Sequence, residues 1–197
     1  MTDKTELQQR VAGLQKYMQE ERCDATLIFQ NVDLYYFGGT MQSAYLYIPV
    51  QGRPILFCRK SITRAQEECP WQVVPLKNYR NIPDELKNLG MSKPIRVALE
   101  FDVIPANIFI SCRQIFNNAE LVDGSGWIKG IRAVKSKYEI SLLRKAGMQI
   151  FEVFGKIPGI IKEGRSEVAC AADLERIARL NGHQGIARLR GYNQEMN

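Results

Sequence analysis

The sequence predicts an α/β fold, a mixed sheet flanked by helices, and three observations lead there. Between residues 25 and 122, short apolar runs of strand type alternate with segments of helical period. Two of these runs, Ala44 to Val50 and Pro54 to Cys58, are separated only by Gln51-Gly52-Arg53, the spacing of a hairpin, which makes that pair antiparallel. The run Val97-Ala98-Leu99 lacks polar alternation, as expected of a central strand covered on both faces.

Each element follows from local pattern. Asp3 with Glu6 is a capping-box variant, and Leu7, Val11, Leu14 and Met18 recur at helical spacing up to Arg22. Ala25 to Gln30 is a strand, and Asn31 to Gly39 reads as a strand end, a helical turn and a glycine-rich break. After the hairpin come a helix near Ser61 to Cys69, a strand near Trp71 to Pro75 and a short helix near Pro83 to Leu89. A strand at Arg96 to Glu100, a helix near Pro105 to Phe116 and a strand at Glu120 to Val122 complete the alternation.

Around Ile131 the pattern changes. Ser136 and Glu139 form a capping box opening a long helix, with Ile140, Leu143, Ala146, Gly147, Ile150, Phe151 and Phe154 on one broad face. A domain boundary is therefore expected near residue 130, giving domains 1–130 and 131–197. Pro158-Gly159 and Glu163-Gly164 break the helical pattern, Ser166 caps a further helix through Ala172 and Ile177, and Asn181-Gly182 stops it. Gln184 to Asn197 reads as strand with turns. Two helices and a lone strand cannot complete a sheet domain, so the second domain is expected to be cut.

Composition excludes several classes. In 197 residues, 45% are hydrophobic and 24% charged, close to globular averages and unlike disordered or collagenous chains. The net charge of +6 is spread too thinly for a nucleic-acid stripe, and no run of about 18 apolar residues suggests a membrane span. Neither nucleic acid nor membrane is expected as a partner. The polar start MTDKTELQQR lacks the apolar core of a signal peptide, so a cytoplasmic location is expected. Five cysteines at irregular spacing, with no CxxC pair, read as reduced, mostly buried thiols. The single histidine, His183, excludes a histidine-rich metal site and reads as a helix-exit residue at the helix's negative end.

Three stretches carry a resemblance. Asn31-Val32-Asp33-Leu34-Tyr35-Tyr36-Phe37-Gly38-Gly39, then Ile131-Arg132-Ala133-Val134-Lys135-Ser136-Lys137-Tyr138-Glu139-Ile140 with Leu143-Arg144-Lys145-Ala146, and finally Arg188-Leu189-Arg190-Gly191-Tyr192-Asn193-Gln194-Glu195-Met196 resemble successive landmarks of the creatinase/prolidase/aminopeptidase P family. The second is the most specific.

The resemblance implies a ribonuclease-H-like N-terminal domain up to about residue 130, followed by the opening helices and strand of an incomplete α+β pita-bread domain. For the complete protein it implies a metal-dependent peptidase acting on the bond before proline, with two Asp, one His and two Glu binding a divalent pair (Mn, Co or Zn) that activates water. Those ligands would lie downstream of Met196, so Asp173, Glu175, His183 and Glu195 are not assigned to that role. No catalytic residue, metal ligand or cofactor is expected in this chain. Creatinase-type members lack the metal and act on a non-peptide substrate, so the chemistry of the complete protein stays open.

The expected role is therefore that of a non-catalytic N-terminal portion serving subunit assembly, a homodimer above all, and access of a proline-containing peptide to the active site. The alternative is a stand-alone binding or interaction module that lost the catalytic half. Tyr36, Phe37 and Arg190 are the candidates for active-site access. Tyr35, Tyr36 and Phe37 read first as core aromatics at a strand end. Arg188 and Arg190 share a strand face that is solvated or ion-paired, or else holds an acidic partner or substrate carboxylate. Glu67-Glu68, Asp84-Glu85 and Glu100 with Asp102 show no spacing that demands a shared site.

Overall fold

The computed structural model describes residues 2–185, 187–191 and 195–196. They divide into two compact units, Met1–Ala133 with Arg190–Asn193, and Val134–Leu189 with Gln194–Asn197.

The first unit is built on a six-stranded mixed sheet. Helix α1 (Lys4–Glu20) leads into β1 (Ala25–Ile28), α2 (Asn31–Gly38), β2 (Ala44–Pro49) and β3 (Ile55–Cys58). There follow α3 (Ile62–Glu68), β4 (Gln72–Pro75), α4 (Ile82–Asn88), β5 (Arg96–Leu99), α5 (Ala106–Ile115), β6 (Glu120–Asp123) and α6 (Ser125–Ala133). The strand order is β4-β3-β2-β1-β5-β6. The hairpin β2/β3 and the pair β1/β2 are antiparallel, while β3/β4, β1/β5 and β5/β6 are parallel. Val97, Ala98 and Leu99 are buried as expected, but β5 lies one strand in from the edge, and β1 and β2 form the centre.

Period-two alternation sorts the strand side chains between two cores. Ile28, Leu46, Ile48, Leu56, Cys58 and Ala98 face Leu7, Leu14, Leu34, Phe37 and Ile128 from α1, α2 and α6. Ala25, Leu27, Tyr47, Phe57, Val97 and Leu99 face Ile82, Leu86, Cys112 and Phe116 from α4 and α5. Helices thus cover both faces. The cysteines are free thiols, four buried and Cys170 half-buried. Burial pushes the Cys112 thiol up to about 12, which leaves it unreactive at neutral pH.

Two helices differ from the sequence expectation. Asn31–Gly38 is a two-turn helix rather than a strand end, because the Gln30 side chain accepts hydrogen bonds from the Val32 and Asp33 N–H groups, 2.6 and 3.0 Å, and so caps it. α6 is not among the helices expected from the sequence, and its Gly126 and Gly130 lower helix propensity locally. Packing against α1 supplies what propensity does not: a Cβ at Gly130 would sit 3.2 Å from the Tyr17 hydroxyl, so the two helices approach through a glycine.

The second unit contains α7 (Lys137–Phe154), α8 (Ile157–Ile160), α9 (Glu167–Leu180) and the short strands β7 (Ala187–Arg188) and β8 (Glu195–Met196). The Ser136/Glu139 capping box is present in full, and Ser136 accepts from the Glu139 N–H at 3.1 Å. The expected break at Pro158-Gly159 is a single helical turn, and the expected lone strand is instead a two-stranded antiparallel ladder. The Arg188 side chain and Tyr192, Asn193, Gln194 and Asn197 lie outside the described residues. On α7, Leu143, Met148, Ile150, Phe151 and Phe154 are exposed.

Gly39 closes α2 at φ +75°, where a Cβ would fall 2.9 Å from Leu7 Cδ1 and 3.1 Å from the Glu68 carbonyl. Gly39→Ala is expected to destabilise the first unit by about 1–3 kcal/mol, read as a lower urea midpoint with unchanged slope. The exposed face of α7 is expected to drive self-association of this chain. Ile150→Glu or Phe154→Glu should reduce the weight-average mass in sedimentation equilibrium at micromolar concentration, and a strictly monomeric parent chain contradicts this.

Candidate functional site

The parallel strands β1, β5 and β6 end on the same side of the sheet, and the residues after them gather there. After β1 comes Gln30, the cap of α2, which carries Asp33. After β5 come Glu100 and Asp102. At the end of β6, Asp123 accepts from Ser125 N–H at 2.9 Å and leads into α6, which carries Lys129 and Arg132.

Asp33 and Glu100 are both 0% exposed. Glu100 Oε2 accepts from the Phe29 and Gln30 N–H groups at 2.7 and 3.0 Å. Its Oε1 is buried and receives no hydrogen bond among the described residues, while its carboxyl neighbour is Asp33. Burial raises the Glu100 pKa well above the usual carboxylate range, the hydrogen bond and charge of Asp33 add to this, and the two backbone N–H groups oppose it. Glu100 therefore favours its neutral form beside Asp33.

Arginines hold Asp33. Arg132 Nη1 donates to Asp33 Oδ1 at 3.2 Å, and Arg190 Nε donates to Asp33 Oδ2 at 2.5 Å. The rest of the Arg190 fork is bidentate on Asp102, Nη1 to Oδ2 at 2.5 Å and Nη2 to Oδ1 at 2.9 Å. Lys129 Nζ adds a contact to Asp102 Oδ2 at 3.0 Å. Burial alone would raise the Asp102 pKa, but hydrogen bonds from Arg190, Ser125 and Lys129 outweigh it and hold the carboxyl well below its usual range. The Arg190 side chain is only 7% exposed in this seat.

The residues that the sequence singled out have distinct surroundings. Tyr36 is buried, with the Arg10 and Arg132 guanidinium carbons 4.0 and 4.9 Å from its ring centroid. Phe37 is fully buried and meets Tyr36 edge to face at 5.0 Å. Arg132 thus joins Tyr36 to the acidic cluster that seats Arg190. Tyr35 is exposed, and its hydroxyl accepts from Thr2 Oγ1 at 3.3 Å. His183 is exposed at the exit of α9, where its N–H donates to the Ala178 carbonyl and its Nδ1 accepts from Gly185 N–H at 3.1 Å.

Sequence reading missed Asp33, Glu100, Asp102 and Arg132 as a group. The available signal was an acid in the apolar run VDLYYF and another directly after Val97-Ala98-Leu99, positions where an unpaired charge is costly. The cluster offers a carboxyl pair and fixed guanidinium seats, not a nucleophile with its base. Among the described residues no group of three His, Cys, Asp or Glu side chains is placed to hold a metal ion. A cavity of about 340 Å³ between α4 and the end of α5, lined by Leu86, Lys87, Met91 and Phe116, lies apart from the cluster.

Because the folded pKa of Glu100 exceeds its unfolded value of about 4.5, its contribution to stability is complete below that value and is lost as pH rises towards the folded pKa. Glu100→Gln keeps an acceptor for Phe29 and Gln30 and a donor for Asp33 without a proton to lose. Its urea midpoint is expected to exceed that of the parent at pH 7–8 and to match it more closely near pH 4.5, with a flatter pH profile.

Residues 10–134 match the family model of the Creatinase/Prolidase N-terminal domain. The Xaa-Pro dipeptidase of Pyrococcus furiosus is 28% identical over 178 residues, 89% of this chain and 49% of that protein. The solved Xaa-Pro dipeptidase from Bacillus anthracis superposes with a TM-score of 0.82 at 19% identity, over 92% of this chain and 51% of that one. The Creatinase/Prolidase N-terminal domain of an X-Pro dipeptidase from Streptococcus pyogenes superposes at 0.53 and 16% identity, over 62% of this chain and 98% of that one. The chain spans about half the length of the curated relatives it matches. With its mixed sheet covered on both faces and the family match over residues 10–134, the chain belongs to the creatinase/prolidase N-terminal domain family.

Proposed function

We propose that this chain is the N-terminal, non-catalytic portion of a proline-specific metallopeptidase of the aminopeptidase P and prolidase kind. In this reading residues 1–130 are the N-terminal domain, and 131–197 the linker and opening of the pita-bread catalytic domain. The observation that carries it is the family match over residues 10–134 in a chain that spans about half of its Xaa-Pro dipeptidase relatives. The substrate of the complete protein is a peptide with proline after the scissile bond, and the assembly is a homodimer in the cytoplasm. No helix among the described residues is long and apolar enough to cross a membrane.

The role of this portion is assembly and access. Arg190, seated on Asp33 and Asp102, and Tyr36, linked to it through Arg132, are the residues that shape the approach to the active site, with Phe37 fixing Tyr36 from the core. The complete protein would work through a divalent pair of Mn, Co or Zn. The described side chains do not fit such a pair, since no three candidate ligands come together, and no chemical step is assigned to a metal in this chain.

The purified chain is expected to leave Xaa-Pro dipeptides intact with Mn²⁺, Co²⁺ or Zn²⁺ added, measured as free proline released. Metal-dependent release abolished by a chelator overturns the reading.

A further inference from the structure

We propose that the Asp33–Glu100 pair is a proton switch for the seat of Arg190, which holds the arginine more tightly when the pair gives up its shared proton and more loosely when it keeps it. This goes beyond the peptidase reading and does not depend on it.

The geometry supplies the argument. Glu100 has one oxygen satisfied by two backbone N–H groups and the other buried without a donor among the described residues, facing an aspartate. Both oxygens of that aspartate are engaged by arginines, Arg132 on one and Arg190 on the other. The proton on Glu100 and the guanidinium of Arg190 thus act on the same carboxylate. A bound guanidinium favours the ionised pair, so by thermodynamic reciprocity the ionised pair favours the bound guanidinium by the same factor. The proton released goes to solvent.

The charged groups around the pair, among the described residues, are few and fixed. From α2 comes Asp33 itself, and from α6 come Arg132 on Asp33 and Lys129 on Asp102. The turn after β5 supplies Asp102, and Asp123 at the end of β6 is bonded to Ser125. From α1, Arg10 lies over Tyr36 and is paired with Glu6 at 3.0 Å. Asp102 also binds Arg190, but its carboxyl is held well below the usual carboxylate range, so it loosens the seat only in strongly acid solution, a step separate from that of Glu100.

Two measurements on the whole chain test this. In the first, ¹³C-carboxyl NMR follows Glu100 in the parent and in Arg190→Gln, where loss of the guanidinium should raise the Glu100 midpoint by about 0.5–1 pH unit, a three- to tenfold coupling. In the second, trypsin cleavage after Arg190, normalised to an unstructured peptide of the same local sequence, should slow three- to tenfold as pH rises through the Glu100 midpoint. In Glu100→Gln that cleavage should be flat across the same interval. An unchanged Glu100 midpoint in Arg190→Gln overturns the proposal, as does pH-independent normalised cleavage in the parent. The NMR arm retains Glu100 and so stands if Glu100→Gln fails to fold.

Discussion

A fully buried carboxylate governs this structure. Asp33 lies inside the first unit, and an isolated charge there is untenable, so the chain has to bring compensation to it. That requirement dictates the residues at the end of each neighbouring strand. The turn after β1 caps α2 through Gln30 and offers two N–H groups to Glu100. β5 delivers Glu100 in neutral form, and β6 leads through Asp123 and Ser125 into α6, which aims Arg132 at Asp33. The carboxyl edge of the sheet is ordered by one anion and the groups that neutralise it.

Much of the scaffold was legible because it depends on local pattern. The α1 spacing of Leu7, Val11, Leu14 and Met18, the Gln51-Gly52-Arg53 hairpin and the Ser136/Glu139 box are decided within a few residues. The hidden elements depend on partners distant in sequence. α2 carries three aromatic residues and Val32, which favour strand, and its helix exists because Gln30 caps it, Gly39 closes it in the left-handed region and the sheet covers Leu34 and Phe37. α6 contains two glycines, and one of them matters because Tyr17 of α1 lies against it.

The polar cluster was the least legible part, and the reason is physical. Asp33 and Arg190 are 157 positions apart, and Arg190 and Asp102 are 88 apart, so no spacing rule joins them. Arg132, Arg190 and Asp33 each belong to a sequence landmark, but a landmark gives no contact. The pairing of Glu100 with Asp102 is featureless in the sequence because the two acids have different tasks: one lies buried beside Asp33, the other spreads its two oxygens on a guanidinium fork.

Stability alone does not account for so much buried charge. Well-packed apolar residues of similar volume in place of a buried ion network often leave a protein as stable or more so. Apolar contacts, however, tolerate small slides, whereas Arg190 presents three N–H groups that must each meet a separate oxygen of Asp33 or Asp102. The network therefore specifies where Arg190 sits more sharply than packing would. Position 100 adds a further point. A glutamine there would satisfy the Phe29 and Gln30 N–H groups and donate to Asp33 equally well, without the penalty of holding a proton at neutral pH. What glutamate provides over glutamine is a charge that can come and go beside the anion on which Arg190 depends.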